Sequence, residues 1–206
     1  MRTLVIAEHV AGQLTAGTLS AITAAVELVL VTHLLVVGGQ DAVAAAEQAA
    51  FIQGVHRTLL AQGPIFEKIL PENVQPLISS VVAEGYTHVL ADASSLGRSV
   101  LPRVAASLDV GMLSDVSKIV SVDTFQRPIY AGNAIATFQS LDPIKLLTIR
   151  SSAFAQATSQ QNRGEVTAVN GGKVATNVRF VGEQLTISER PELSSARVVV
   201  SGGRGM

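Results

Sequence analysis

The sequence predicts an α/β fold, a Rossmann-like parallel sheet with helices on both faces, followed by an antiparallel, strand-rich C-terminal part. Between Thr3 and Leu108, β-rich runs and helix-periodic segments alternate four times with short connections, the order that builds a helix-covered parallel sheet. After Asp115 the helical periodicity stops, and short strand-like stretches are broken by Asp123, Gly132-Asn133 and Asp142-Pro143, which points to hairpins. Apolar residues make up 48% of the 206 positions and charged residues 15%, enough to fill a sizeable core.

The elements follow in order. "TLVIAE" (Thr3–Glu8) suits a central strand buried on both faces. From Leu14 to Leu28, apolar Leu19, Ile22 and Val26, with Val29 just beyond, recur at three- and four-residue steps and predict a helix. "LVTHLLVVGG" (Leu30–Gly39) is the second strand. No Gly or Asp turn separates it from the helix before, so that connection is unusually tight. Asp41 stands at the N-cap of the alanine-rich "AVAAAEQAA". Val55–Ala61 is the third strand, Pro71–Glu84 a helix stopped by Gly85, Thr87–Asp92 the fourth strand and Val100–Leu108 a further helix. Ser151–Gly164 is a loop by composition. "EVTAVNGG" and "VATNVRFVGEQLTIS" alternate like exposed strands, and Arg197–Ser201 is the last strand. No internal repeat is present.

Several function classes drop out. The 15 basic and 16 acidic residues leave a net charge of −1, so no basic stripe marks a nucleic-acid partner. Cysteine is absent, which removes disulfides, thiolate catalysis and Cys-ligated metals and fits a reducing compartment. "MRTLVIAEH" has too short an apolar run for a signal peptide. Glu27 and His33 interrupt Ala21–Val37, so it is not a membrane span.

His9, His33, His56 and His88 lie in or beside separate strands without metal-site spacing and read as structural. Asp109, Asp115 and Asp123 read as solvated turn carboxylates, unpaired for acid–base work. No Gly-x-Ser-x-Gly elbow is present. "DASSLGRS" (Asp92–Ser99) leaves a strand and opens a helix where anions can bind. It lacks the spaced glycines of a dinucleotide fingerprint, so a plain helix cap is the better reading. In "SGGRG", the Gly202-Gly203-Arg204-Gly205 turn gives backbone access to a ligand, and Arg204 offers a fixed positive charge. An ordinary glycine turn would read the same.

Taken in one order, "SLGRSVLPRVAASLDVGMLSDVSKIVSVDTFQRPIYAGNAIATFQS", "TIRSSAF" and "RPELSSARVVVSGGRGM" resemble the α subunit of electron transfer flavoprotein. The opening "LVIAEH" is similar as well. The likeness is colinear over the chain, weakest at Leu28–Pro76 and Ser159–Glu183. It implies a heterodimeric electron carrier, not an enzyme. FAD sits in a C-terminal domain of the α subunit, and AMP is buried in the β subunit. Electrons come from flavoprotein dehydrogenases, such as the acyl-CoA dehydrogenases of fatty acid β-oxidation, and pass to a membrane quinone oxidoreductase. The compartment would be bacterial cytoplasm or mitochondrial matrix.

The resemblance divides the chain into an α/β scaffold domain, residues 1–188, and residues 189–206, a linker with the first strand and turn of the FAD domain. The rest of that domain has no counterpart in these residues, so the chain is expected to be a piece of a longer subunit. Arg204 takes the position of the family's FAD-contacting arginine. No catalytic side chain and no metal ligand is expected, nor any contact with nucleic acid or insertion into a membrane. Residues around "RPIYAGNAI" are expected near the β-subunit contact with Tyr130 as an aromatic anchor; the alternative is that Ile129, Tyr130 and Ile135 fill the domain's own core. The rival function is an adenine-nucleotide-binding module of the nucleotide-hydrolase-like type, using the Asp92–Ser99 loop.

Overall fold

A computed structural model describes all 206 residues except 161, 172, 185–192, 194, 195 and 197. Its elements are, in chain order, β1 (Arg2–Ile6), β2 (His9–Val10), β3 (Gln13–Leu14), α1 (Ala16–Glu27), β4 (Val31–Gly38), α2 (Ala42–Ala49), β5 (Arg57–Gln62), α3 (Pro71–Val82), β6 (His88–Asp92) and α4 (Ser95–Leu108). Then come β7 (Met112–Val116), β8 (Lys118–Ile119), β9 (Thr124–Ile129), β10 (Ala134–Gln139), β11 (Lys145–Ile149) and β12 (Glu165–Ala168). Seven strands form one parallel sheet in the order β12-β5-β4-β1-β6-β11-β7. A separate antiparallel sheet has the order β10-β9-β8.

The two faces of the parallel sheet are covered by different helix chemistry. On one face α1 and α2 bury Ala21, Ile22, Ala25, Ala45, Ala46 and Ala49. Alanine lets both helices sit close against the buried strands β1 and β4. On the other face α3 and α4 bury larger groups, among them Leu77, Ile78, Leu101 and Val104. Thr15 caps α1, its hydroxyl accepting from the Thr18 amide at 3.2 Å, and Pro71 begins α3 with the φ a first turn needs. The Ser20 hydroxyl donates to the Phe154 carbonyl at 3.0 Å, which ties the segment after β11 back onto α1.

The tight turn after α1 has an unexpected solution. Val29 adopts φ 56°, the left-handed region that disfavours a β-branched residue, and its side chain is 88% exposed. No packing holds it there; the short reach from Leu28 to Val31 does. Val29→Gly should therefore stabilise the chain by about 1 kcal/mol, the strain relieved less the added freedom of the unfolded glycine. Urea unfolding tests this, and a lower midpoint would mean the strain is not real.

Three strand readings need correction. The stretch after Asp115 is only partly antiparallel: β11, with β7 just before it, joins the parallel sheet, and β12 adds to its far edge. The connection from β7 to β11 is made by the β8–β10 sheet instead of a helix, so the absence of helical periodicity did not signal the end of parallel pairing. Residues 174–184 and Val198–Ser201 form no strand and pair with none of the sheets' edge strands; the remainder of both readings lies outside the described residues. The helix read as Val100–Leu108 begins at Ser95, with Pro102 inside it.

His33, on β4, packs edge-on against Tyr86 at 5.5 Å between ring centroids. Its Nδ1 lies 2.6 Å from the Tyr86 hydroxyl. Burial, helped by the positive charges of Arg57 and Arg2, lowers its pKa from 6.5 to about 4. The unfolded chain takes up a proton near pH 6.5 that the native ring refuses until about pH 4. Stability contributed by this histidine is therefore complete above pH 6.5 and declines as pH falls through that window, by at most about 1.4 kcal/mol per unit. Glu8 and Asp92, whose pKa values burial raises, pull the other way. The difference in unfolding free energy between the parent and His33→Gln should narrow from pH 7 to pH 4.5, and a pH-independent difference would contradict the assignment.

Candidate functional site

Open parallel sheets bind ligands at the carboxyl ends of their strands, where the chain reverses its direction across the sheet. Here that point lies between β1 and β6, since the chain runs from β1 outward through β4 and β5 and returns to β6 on the other side. Two helices, α1 and α4, start at this edge. Ser94 caps α4, its hydroxyl oxygen accepting from the Gly97 amide at 3.1 Å. The same hydroxyl donates to the Glu8 carboxylate. Thr18 fixes the Glu8 backbone, accepting from its amide at 2.8 Å and donating to its carbonyl at 3.0 Å.

Asp92 fills the rest of the space. A Cβ on Gly17, in the first turn of α1, would overlap the Asp92 carboxylate, and one on Gly97 would overlap the Asp92 carbonyl oxygen. Glycine at 17 and 97 is what lets Asp92 seat between the helix starts. The protein's own carboxylates thus take the place where a phosphate would gain from helix N-termini. Burial raises the pKa of both, and the hydroxyls of Ser94 and Ser151 partly offset this at Glu8 and Asp92 respectively. Asp92–Ser99 is a helix cap, as its missing glycines suggested. Two negative side chains at its mouth weigh against a nucleotide phosphate.

The remaining candidates separate cleanly. His33 is held by Tyr86, His56 Nδ1 accepts from the Thr32 amide at 3.2 Å, and His88 Nε2 lies 2.6 Å from the Val122 carbonyl oxygen it donates to. Among the described residues no three His, Cys, Asp or Glu side chains gather as a metal site. Asp109 ends α4 in the left-handed conformation. Asp123 is a turn carboxylate, drawn down to about 2 by donors from Gln139, Ser121 and Thr124.

Asp115 is not a solvated turn residue. It sits in β7 at φ 61°, where the register against β11 breaks between Leu147 and Ile149, a bulge that re-aims its side chain. Its amide donates to Thr148 Oγ1 at 2.8 Å and its carboxylate pairs with the Arg150 guanidinium. Sequence reasoning missed Glu8 and Arg150 as site residues. The only signal available was a charged residue just beyond an apolar strand, in "LVIAEH" and "KLLTIR".

The β8–β10 sheet has a different character. Phe125 is its anchor, fully buried against the core. Elsewhere on and around this sheet apolar side chains are exposed: Tyr130 is 78% exposed and Ile135 59%, with Val120, Val122, Phe138 and Leu141 also open. The hairpin tip carries three consecutive left-handed residues, Tyr130, Ala131 and Gly132. Two of the three are not glycine, a strain that marks functional turns more often than plain ones. Tyr130 and Ile135 therefore do not fill the domain's own core.

The glycine turn at Gly202–Gly205 lies in exposed chain, closed by the Met206 amide donating to the Gly203 carbonyl at 3.0 Å. Arg204 offers the right donor chemistry for a flavin's anionic parts. No described residue builds a wall around it, and a Cβ on Gly203 or Gly205 would meet only open space. One exposed arginine does not make a FAD site. Among the described residues no helix is long and apolar enough to cross a membrane.

Comparison with known proteins adds what geometry alone does not give. The chain matches the electron transfer flavoprotein domain family over residues 3–173. It is 47% identical over 206 residues to the electron transfer flavoprotein subunit alpha of Pseudomonas aeruginosa, covering 100% of this chain and 66% of that protein. A probable mitochondrial electron transfer flavoprotein subunit alpha of Caenorhabditis elegans is 45% identical, over 99% of this chain and 61% of its own length. The subunit alpha of Paracoccus denitrificans is 44% identical over 168 residues, 82% of this chain and 54% of the relative. The chain thus spans between about half and two thirds of the length of these relatives.

Proposed function

The chain belongs to the electron transfer flavoprotein family, on the side of its α subunit, and from that premise we propose that it is the scaffold of one half of a heterodimeric electron carrier. It is a carrier subunit, not an enzyme. Its part is to hold the β subunit, in which AMP is buried, and to support the flavin-bearing remainder of the α subunit. FAD, when bound in the whole protein, supplies the redox chemistry. Arg204 would add one fixed positive charge beside it. Electrons would enter from flavoprotein dehydrogenases such as acyl-CoA dehydrogenases and leave to a membrane quinone oxidoreductase. Bacterial cytoplasm or mitochondrial matrix is the setting consistent with relatives from both kinds of source.

The observation that carries the scaffold reading is the set of exposed apolar side chains on and around β8–β10, with Tyr130 at the hairpin tip. A carboxyl edge filled by Glu8 and Asp92 supports it from the other side, since the domain keeps that place for itself. The nucleotide-binding rival has no specific observation in its favour. Tyr130→Ala should weaken the complex with the β subunit about tenfold, the usual cost of losing an aromatic anchor. Its own unfolding midpoint should stay put, because the side chain is exposed. Titration by calorimetry against purified β subunit tests this, and unchanged affinity in Tyr130→Ala and in Ile135→Ser alike would remove this face from the interface.

A further inference from the structure

The β8–β10 sheet carries charge as well as apolar side chains, and its charge is lopsided. The chain has a net charge of −1, yet from Lys118 to Gln139 the charged residues are Lys118, Arg127 and a single carboxylate, Asp123. That carboxylate is already taken. The Ser121 and Thr124 hydroxyls and the Gln139 amide donate to it at 2.7, 2.8 and 2.8 Å. Lys118 is exposed, and among the described residues neither Lys118 nor Arg127 forms an ion pair. Lys118 pairs in register with Gln126, so it and Arg127 project to opposite sides of the sheet.

Backbone hydrogen bonds carry this charge up to a second basic group. The Arg150 amide donates to the Val116 carbonyl at 2.9 Å, and the next residue's amide, Ser117, donates to the Gln126 carbonyl at 2.8 Å. Arg127 follows Gln126 and so stands beside the ends of β7 and β11, where Asp115 pairs with Arg150. The Arg150 guanidinium holds the Asp115 carboxyl below its usual range, and the charges of Arg98, on α4, and Arg127 act in the same direction. With Asp115 committed to Arg150, the charge of Arg127 stays unmatched. Its Nε is buried without a hydrogen-bond partner among the described residues, while the residue as a whole is half-buried. That nitrogen is closed to a ligand and fixes the stem. The terminal guanidinium nitrogens are neither buried without a partner nor bonded to a described residue, and they face outward. A guanidinium held this way loses little rotamer freedom on pairing.

We propose that Arg127 receives a carboxylate side chain of the β subunit, and that Lys118 helps draw that acidic surface in from a distance. The inference rests on the docking face proposed above and adds its charge: the partner surface is apolar opposite Tyr130 and Ile135 and acidic opposite Arg127. Arg127 then acts both on encounter and in the bound complex, whereas Lys118 acts on encounter alone.

Association and dissociation rates with purified β subunit, measured at low and at high salt, test this. Association of the parent chain should slow as salt rises. Arg127→Gln should slow low-salt association about three- to tenfold, flatten the salt dependence and speed dissociation. Arg127→Lys should recover the association rate but not the slow dissociation, since an ammonium lacks the planar fork. Lys118→Gln should slow association and leave dissociation unchanged. Lys118 is exposed, so that variant decides the question even if Arg127→Gln fails to fold. Salt-independent association of the parent, or unchanged rates in Arg127→Gln and Lys118→Gln, would overturn the proposal. If Tyr130→Ala still weakens the complex in that case, the docking face stands and only its charge assignment falls; if Tyr130→Ala and Ile135→Ser are also without effect, both fall.

Discussion

Gly97→Ala is expected to destabilise the chain by about 2–4 kcal/mol, in the range of severe overpacking. Alanine is ordinarily the better helix former, and in an exposed helix interior the same change would stabilise by about 1 kcal/mol. At this position the third residue of α4 passes directly over the backbone of Asp92, and a Cβ would overlap that carbonyl oxygen. The neighbour is backbone, held in the sheet by the pairing of β6 with β1 and β11, so it cannot swing aside as a side chain would. The Gly97 amide that bonds Ser94 is retained in the variant, which leaves the steric overlap as the cause. Gly182→Ala is the control: nothing lies near its Cβ position, and its effect should stay within about 0.5 kcal/mol. Equal stabilities for the two variants would mean that α4 does not start where it is drawn.

Residues 1–206 alone are expected not to retain FAD. Arg204 can supply one charge-assisted contact, worth about 1.5–3 kcal/mol in a well-formed site. A micromolar complex needs about 8 kcal/mol. The turn that carries Arg204 follows an exposed, unpaired stretch, Val198–Ser201, so even that single contact would have to order the chain first. The purified chain should be colourless and should remain so after incubation with FAD and desalting. In a longer α subunit that holds FAD, Arg204→Ala should weaken flavin binding or lower the flavin potential, since a nearby positive charge favours the reduced anion. A yellow preparation of residues 1–206 with stoichiometric flavin would overturn both the domain division near residue 188 and the modest role given to Arg204.

Much of the fold was legible because local chemistry and global packing agree. Pro71 and Gly85 mark helix ends that the structure keeps, and the apolar runs of β1, β4 and β6 are buried on both faces as their composition required. What failed did so for non-local reasons. Whether Leu146 and Leu147 join a parallel or an antiparallel sheet depends on the neighbours they reach, Val89-Leu90 on one side and Met112-Leu113 on the other, and no short window contains those. Strain at Val29 is invisible to pattern, since a valine carries no turn signal. The candidate site was only half legible. "DASSLGRS" announced a helix cap, but its filling by Glu8 depends on a contact between residues 86 apart. Tyr130 could be named from its setting, while its exposure could not, because an apolar run reads alike in a core and on an interface.

The central claim is that the face of β8–β10 docks the β subunit while the carboxyl edge of the parallel sheet stays filled by the chain itself. Amide hydrogen exchange on this chain, free and with saturating β subunit, tests it most directly. Exchange in the complex should slow across Lys118–Gln139, most strongly around Tyr130 and Ile135, with little change at Asp92–Ser99. Protection confined to Asp92–Ser99, or no slowing anywhere in β8–β10, would contradict it.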